Sequence, residues 1–210
     1  MWHPDGRHLI YTHGNKIVQR IADGGDEMVL LAAEAYPDHI TRDGRFLTYG
    51  RQEMGFFEAW AHDIVAPGAK AIALVPGVTL SDETRFSKNE KWIAYHSNQS
   101  GSDQVWVMPF PPTGEKWQIS QDGGVQPRWS ADGNELFYLN PDGRLMAVGM
   151  PDGDPRRARE PKALFLTGLT PSNALDQIAV VGDRFLLRLP ASARTTISSP
   201  IQIFVNWTTR

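Results

Sequence analysis

Residues 129–138 read WSADGNELFY, and this ten-residue pattern recurs along the chain. Each copy begins with a large apolar residue, has a turn at its centre and ends with apolar residues two positions apart. Because residues two apart share one face of a strand, each copy predicts the end of one strand, a tight turn and a second strand. The other copies are WHPDGRHLIY at 2–11, ITRDGRFLTY at 40–49, FSKNEKWIAY at 86–95 and the degenerate IAVVGDRFLL at 178–187.

The turn at the centre of the pattern is an Asp-Gly pair in three of the copies. This dipeptide predicts a two-residue hairpin turn in which both residues have a positive φ. The third copy has Asn89-Glu90 instead, and Glu adopts a positive φ only at a cost. We therefore expect a different turn type or a longer loop there. The three Asp-Gly pairs are Asp5-Gly6, Asp43-Gly44 and Asp132-Gly133.

Two more strands are predicted after each hairpin. The third strands are expected at 16–20, 59–63, 104–108, 144–148 and 201–205, and the outer fourth strands at 27–31, 71–75, 116–120 and 163–166. Units of four strands that repeat every 40 to 50 residues or so are typical of propeller blades. We therefore predict an all-β fold, a β-propeller with about five four-stranded antiparallel blades. It forms one domain over 1–210, with blades at approximately 1–33, 34–77, 78–121, 122–168 and 169–207.

The residue between the paired apolar positions is mostly apolar too, as in Ile10, Phe137 and Leu186. Strands that are apolar on both faces must be covered on both faces, so each blade is expected to lie between neighbours. The first copy starts at Trp2, which leaves no room for the front of an inner strand, and we expect an incomplete first blade. Either about five blades close into a small ring, or an open arc exposes apolar faces and self-associates.

Composition excludes several functional classes. The 210 residues carry a formal net charge of −3 and no cysteine. Disulfides and thiolate metal sites are therefore excluded, and no basic surface for nucleic acid is expected. No apolar run approaches the roughly 18 residues that a membrane span needs. The basic cluster at Arg156, Arg157 and Arg159 is interpreted as a solvated loop.

Motifs for catalysis and cofactor binding are not found in the sequence. There is no GxSxG nucleophile elbow, no GxGxxG or P-loop, and no kinase catalytic loop,. An enzyme acting at the axial mouth would need paired carboxylates or a metal cluster, and neither is visible. His3, His8 and His13 stand five residues apart, a spacing that places successive residues on opposite strand faces,. We therefore predict no metal site and no cofactor.

One set of polar residues is a candidate binding site for a peptide or an anion. Its members immediately precede the repeat in four successive copies, so the propeller should bring them together near its axial mouth, where a ligand is most easily accommodated. Asp38, Asp82 and Asp176 lie nearby, and an alternative is that they only neutralise the arginines. The candidate residues are His39, Arg85, Arg128 and Gln177.

The repeats resemble the WD-like β-propeller repeats of the TolB type, in which an apolar residue or Trp is followed by Ser-Pro-Asp-Gly, a basic residue and an Ile-Ala-Tyr strand. Over 95–148 the chain is most similar to the C-terminal propeller of bacterial, acidobacterial-type serine/threonine protein kinases. Residues 201–208 also resemble the end of that group. The similar stretches are SNQSG at 97–101, VWVMPFP at 105–111, KWQIS at 116–120, GGVQPRW at 123–129 and ELFY at 135–138.

This resemblance implies a non-catalytic sensor or interaction domain of a larger bacterial protein. In full-length relatives such a domain follows a kinase domain and a membrane span, which implies a periplasmic or extracytoplasmic location, with the cytoplasm left open. The implied partner is a protein, a peptide or a small anionic ligand, and none of the kinase's catalytic residues has a counterpart here. The alternatives are a substrate-filtering accessory domain of a serine peptidase or hydrolase and a TolB-like periplasmic scaffold.

Overall fold

The computed structural model describes residues 1–53, 56–66, 68–75, 81–172, 176–189 and 202–204. These residues form an all-β structure of consecutive antiparallel sheets, each a meander in which neighbouring strands follow one another along the chain. The predicted fold class, four-stranded antiparallel blades of a propeller, is confirmed. Two short 3-10 helices, Pro151–Gly153 and Pro155–Arg157, interrupt the connection before the last strand of the fourth sheet.

The three central sheets have four strands each. The second sheet contains β4 (Ala35–Ile40), β5 (Phe46–Glu53), β6 (Phe56–Asp63) and β7 (Ile72–Ala73). The third contains β8 (Ser81–Phe86), β9 (Trp92–Ser97), β10 (Gln104–Pro109) and β11 (Trp117–Gln118). The fourth contains β12 (Val125–Trp129), β13 (Glu135–Leu139), β14 (Arg144–Gly149) and β15 (Lys162–Leu166).

The first and fifth sheets have three described strands each. The first contains β1 (His8–His13), β2 (Lys16–Ile21) and β3 (Met28–Leu31), and an isolated bridge between Trp2 and Leu9 stands where its inner strand would pair. The fifth contains β16 (Ile178–Val181), β17 (Arg184–Leu187) and β18 (Gln202–Phe204). The strand predicted at 201–205 is therefore found, although its two end residues lie outside the described part.

The sheets pack face to face with their inner strands side by side. Strand β8 contacts both β4 and β12, and β12 also contacts β16. An apolar seam fills each gap between neighbouring sheets. Within β9, Ile93 and Tyr95 belong to the seam with the second sheet, whereas Ala94 between them belongs to the seam with the fourth. The three central sheets are thus covered on both faces, as the sequence predicts,.

Three of the four repeated tyrosines, Tyr49, Tyr95 and Tyr138, lie in these seams. Tyr95 and Tyr138 are fully buried, and burial raises the pKa of each phenol to about 12. At the two outermost sheets, by contrast, several large apolar side chains are exposed to solvent. They are Trp2, Ile21, Met28 and Val29 in the first sheet and Val181 and Leu186 in the fifth.

The repeat turns differ from the prediction. In the second copy the N–H of Thr41 donates to the carbonyl of Phe46 at 2.9 Å, so residues 42–45 form a longer connection than the expected pair. Gly44 alone has a positive φ, of 73°, while Asp43 does not. The reason is that the Asp43 carboxylate accepts the N–H of Arg45 at 3.0 Å, a local bond that holds Asp43 at negative φ,.

The prediction of another turn type in the third copy is also wrong. Glu90 takes the place of the turn glycine with a φ of 58°, and its N–H donates to the carbonyl of Ser87 at 3.0 Å as in the other copies. A left-handed non-glycine residue costs roughly 1–2 kcal/mol. The Glu90 carboxylate offsets part of that cost, because it accepts the N–H of Arg42 in the preceding sheet at 2.5 Å,.

Candidate functional site

A cavity of about 860 Å³ lies where the inner strands β4, β8, β12 and β16 meet, and we call it the axial cavity. Its wall contains apolar side chains, including Phe86, Trp129 and Leu186, and basic ones, including Arg42 and Lys88. The four residues predicted to meet at the mouth all line it. They are His39, Arg85, Arg128 and Gln177.

Irregularities in three of the inner strands lie beside three of these residues, all but Gln177. The pairing register shifts just before His39 in β4, before Arg85 in β8 and before Arg128 in β12. Such bulges redirect side chains and are frequent beside functional sites. Within two of them a buried non-glycine residue is left-handed, Glu83 with a φ of 55° and Gln126 with a φ of 59°. Backbone strain of this kind costs about 1–3 kcal/mol and tends to mark functional positions.

Arg128 is held almost rigidly. Its side chain is only 9% exposed. Nε donates to the carbonyl of Ile178 at 3.0 Å, Nη1 donates to that of Pro127 at 2.9 Å, and Nη2 donates to a carboxylate oxygen of Asp176. Burial, with the nearby Arg85 charge, lowers the pKa of Arg128 to about 10, which still leaves it charged at neutral pH.

Arg85 is fixed in a similar way from the neighbouring sheet. Its Nη1 donates to the main-chain carbonyls of Thr84 at 2.8 Å and Asp38 at 3.3 Å. Its Nη2 donates to Asp176 Oδ1 at 3.0 Å, the same oxygen that Arg128 contacts. Two guanidinium groups from different sheets therefore converge on one carboxylate oxygen.

The carboxylate that joins them, Asp176, has a side chain that is 66% exposed. Its partial burial tends to raise its pKa, but the charges of Arg85 and Arg128 and a hydrogen bond with Glu83 outweigh this and lower it. The Asp176 carboxylate therefore pairs with both arginines, and the main-chain carbonyl of Asp38 accepts from Arg85. The side chain of Asp82 lies outside the described part.

Glu83 places a second carboxyl group behind the arginines. It is buried, with Oε2 at 3.7 Å from Arg128 Nη1 and 4.0 Å from His96 Nδ1. Together with Asp176 it forms a pair of carboxyl groups, which meets one requirement stated above for an enzyme acting at the axial mouth. The sequence did not reveal the pair, because the two residues are far apart along the chain. The fully buried His96 has its pKa lowered to about 4, by burial and by the charges of Arg128 and Arg85.

His39 is neutral in this environment. Burial, together with Arg85 and Arg128, lowers its pKa to about 3. Its Nδ1 accepts the N–H of Phe86 at 3.1 Å, so the ring proton belongs on Nε2, which can donate to a ligand,.

Gln177 lines the cavity but is occupied within the protein. Its Oε1 accepts the N–H of Ser172 at 3.0 Å and Nε2 of Gln126 at 3.0 Å, and its Nε2 donates to the carbonyl of Thr170 at 2.9 Å. Its own N–H donates to Gln126 Oε1 at 2.8 Å. Gln177 therefore ties the fourth and fifth sheets together beside the arginines.

Two histidines near the start of the chain, His3 and His8, lie together rather than on opposite faces of a strand. His3 precedes the first repeat turn and His8 follows it, so both rings reach the turn residue Asp5. His3 Nδ1 lies 3.1 Å and His8 Nδ1 2.6 Å from Asp5 Oδ2. The expectation that successive histidines lie on opposite faces is wrong for this pair, because His3 is not part of strand β1.

The basic cluster that the sequence predicts to be a solvated loop lies outside the cavity. Arg156 pairs with Asp154 at 2.7 Å and Arg157 pairs with Asp152, and both arginine side chains are exposed.

Within the described ranges, no helix has the length and apolar character required to cross a membrane.

Comparison with known proteins identifies the architecture. No family model matches the chain, and no curated protein matches its sequence. TolB from Acinetobacter baumannii superimposes with a TM-score of 0.65 at 19% identity, over 89% of this chain and 49% of that protein. The chain thus spans about half the length of that TolB.

Two further structures are similar over a large part of the chain. One is from a nidogen/laminin complex, with a TM-score of 0.55 at 11% identity over 76% of this chain and 62% of the other. The second is a prolyl endopeptidase, with a TM-score of 0.54 at 17% identity over 96% of this chain and 32% of the other. The identities are low, so what these likenesses show is the fold, and that fold is a TolB-like β-propeller.

Proposed function

We propose that this chain is a non-catalytic binding propeller whose axial cavity holds an anionic group, above all a carboxylate, of a protein or peptide partner or of a small ligand. The observation that carries the proposal is the convergence of Arg85 and Arg128 on one oxygen of the exposed Asp176 carboxylate. Asp176 occupies the place of the ligand's carboxylate, and a tighter-binding partner displaces it.

The arginines suit this role because their positions are fixed before any ligand arrives. Main-chain carbonyls hold both guanidinium groups in the wall of the cavity. Planar guanidinium groups match the geometry of carboxylates, and charge-assisted hydrogen bonds are about twice as strong as neutral ones. Arg42, Lys88 and Arg188 add further positive charge to the wall, against Asp176 and Glu90.

The remainder of the wall indicates what the anionic group is attached to. Phe86, Trp129, Ile178 and Leu186 give the cavity a large apolar surface beside the arginines. A carboxylate carried by an apolar body, such as the end of a peptide chain with a hydrophobic last residue, satisfies both parts of the wall. A chain of similar fold in a nidogen/laminin complex is a precedent for protein binding on this fold.

We further propose that the chain is the sensor or interaction domain of a larger bacterial protein outside the cytoplasm. This rests on the resemblance of residues 95–148 to kinase-associated propellers and on the TolB-like fold. The coding sequence on either side tests it. A kinase domain and an apolar span upstream would support the assignment, and a complete cytoplasmic enzyme would contradict it.

Binding at the axial cavity is tested with peptides that end in a hydrophobic residue, each made with a free and with an amidated C-terminus. We expect titration calorimetry to show binding of the free form only. Arg85→Ala with Arg128→Ala should abolish it, and Arg156→Ala with Arg157→Ala, which changes two exposed arginines elsewhere, should not.

Asp176→Asn gives an independent test, because it removes the internal competitor and leaves both arginines in place. We expect tighter binding of the free carboxylate peptides by this variant. Equal binding of free and amidated peptides, or weaker binding by Asp176→Asn, would contradict the proposal.

A second candidate function is an accessory propeller that filters substrates for a serine peptidase. The observation that favours it is the similarity to a prolyl endopeptidase over 96% of this chain. A neighbouring domain with a serine nucleophile elbow in the same coding sequence would support it. In that case the axial cavity should admit short peptides with little dependence on their C-terminal charge.

We also propose that the chain self-associates through the exposed apolar side chains of its first and fifth sheets. The exposed Val181 and Leu186 of the fifth sheet, with Val29 of the first, form apolar surface of a kind that soluble proteins usually cover,. We expect concentration-dependent association in sedimentation velocity, and Val181→Lys should reduce it. A monomer at every concentration would exclude this contact.

A further inference from the structure

We propose that His3, Asp5 and His8 form a binding site for a divalent transition-metal ion, Zn²⁺ in the first place, on the first sheet. The proposal does not rest on the function proposed for the axial cavity, although Pro4, between two of the ligands, lines that cavity. One ring nitrogen of His3, one ring nitrogen of His8 and a carboxylate oxygen of Asp5 all lie within 4.8 Å of one another.

The separations are close to what a metal ion requires. Zn²⁺ binds imidazole nitrogen and carboxylate oxygen at about 2.0–2.2 Å, so neighbouring ligand atoms in a tetrahedral site lie about 3.4 Å apart. Asp5 Oδ2 is 3.1 Å from His3 Nδ1 and 2.6 Å from His8 Nδ1. A small opening of the cluster, with loss of the proton between His8 and Asp5, makes room for the ion.

The turn itself does not need this arrangement, as the other repeat copies show. In the fourth copy the hydroxyl of Ser130 donates to Asp132, and Glu135 stands at the position of His8. In the first copy both positions are histidines that converge on the turn carboxylate. The imidazoles therefore supply something that the same turn lacks elsewhere.

Asp5 can bind a metal and keep its structural role, because its two oxygens have different partners. Oδ1 accepts the N–H of Arg7 at 2.8 Å and of His8 at 3.0 Å, which is the bond pattern that shapes the turn. Oδ2 faces the two imidazoles. On the His3 ring, Nδ1 also accepts the Asp5 N–H at 3.2 Å, a weak bond that coordination would replace.

The donor set selects the class of ion. Two imidazoles and one carboxylate favour Zn²⁺, Ni²⁺, Co²⁺ or Cu²⁺ over Ca²⁺ and Mg²⁺, which prefer oxygen ligands alone. Three protein ligands leave a position for water or for a group of a partner. All three side chains are partly exposed, so an ion can reach them from solvent.

The test is titration of the metal-free full chain with Zn²⁺, followed by calorimetry in a buffer that does not chelate metals. We expect one ion per chain, and a loss of affinity of about tenfold or more in His3→Ala and in His8→Ala. The matched control is His13→Ala, since His13 forms a comparable pair with Glu27 at 2.7 Å but has no third ligand nearby among the described residues.

Asp5→Asn keeps the test decisive if a histidine variant misfolds. The third copy already has Asn89 at this position, where it accepts the N–H of Lys91 at 3.1 Å, so Asn preserves the turn. This variant should keep its circular dichroism spectrum and lose Zn²⁺ affinity. No binding by the wild-type chain, or unchanged binding by Asp5→Asn and His8→Ala, would overturn the proposal.

Discussion

The third and fourth sheets meet in two places, and the two contacts differ in kind. Away from the axis, Ala94 packs with Leu136 and Tyr138 in an apolar seam. At the axis, the same two sheets bring Arg85 and Arg128 side by side. The seam repeats from sheet to sheet, whereas the axial position changes in type, from His39 to two arginines and then to Gln177. The seams therefore hold the molecule together, and the axial positions are free to carry specificity.

Leu136→Ala should have the largest effect on stability, because it empties part of the seam. Leu136 is fully buried, and truncation of such a leucine costs about 2–5 kcal/mol,. Urea unfolding of this variant should show that loss. The matched control is Leu186→Ala in the exposed wall of the cavity, where we expect little change. Equal losses in both variants would contradict the distinction between seam and axis.

Acid should lower the free energy of unfolding through the two histidines near the arginines, His96 and His39,. The pKa of His96 is lowered from 6.5 to about 4 in the folded chain. Between pH 6.5 and pH 4, His96 is therefore protonated in the unfolded chain and neutral in the folded chain. Stability is then lost as the pH falls from about 6.5 to about 4, at roughly 1.4 kcal/mol per pH unit. His39, with a pKa of about 3, adds a loss over the same range.

Unfolding free energies measured at several pH values check this. His96→Asn should flatten the slope between pH 6.5 and 4, even if it lowers stability at neutral pH. A wild-type stability that does not vary over this range would contradict the buried, neutral state of His96.

Gly133→Val should cost about 1–3 kcal/mol, because this turn residue has a φ of 81°,. A Cβ there would also lie 2.9 Å from Cβ of Lys88 in the preceding sheet. Gly14→Val, with a φ of 57° and nothing within 4 Å, carries the backbone strain without that contact. Thermal unfolding should therefore rank Gly133→Val below Gly14→Val, and the opposite order would contradict the turn-to-turn packing.

Asp176→Asn should have the smallest effect on stability, less than about 1 kcal/mol, because the carboxylate is largely exposed and screened by water,. Its pKa is lowered in the folded state, so its contribution is present at neutral pH and lost as the pH falls through that lowered value,. Urea unfolding of both proteins at neutral pH and at acidic pH should show the difference disappear in acid. A loss comparable to that of Leu136→Ala would mean that the axial ion pairs hold the sheets together.

The seams were predictable because their residues repeat with the period of a strand. The repeat also places His39, Arg85, Arg128 and Gln177 around one cavity, since equivalent positions of adjacent blades share a height on the axis. Their role in binding a ligand stays a prediction.

Other features of the axial region carry no periodic signal. The left-handed bulge residues Glu83 and Gln126 look like ordinary polar positions in the sequence. The bond from Arg85 to Asp176 joins residues 91 positions apart, a distance at which one sequence gives no information on pairing. The His3 and His8 cluster was missed because strand alternation was applied across a turn, where it does not hold.

The division of β9 between two seams has a consequence for how the molecule opens. Neighbouring residues of one strand are anchored to different sheets, so each central sheet is supported from both sides, while the first and fifth have their described apolar contacts on one side only. Nearest-neighbour support of this kind makes loosening start at the ends and move inward. Backbone amides should accordingly exchange with deuterium fastest in β1 and β17 and slowest in β9 and β13.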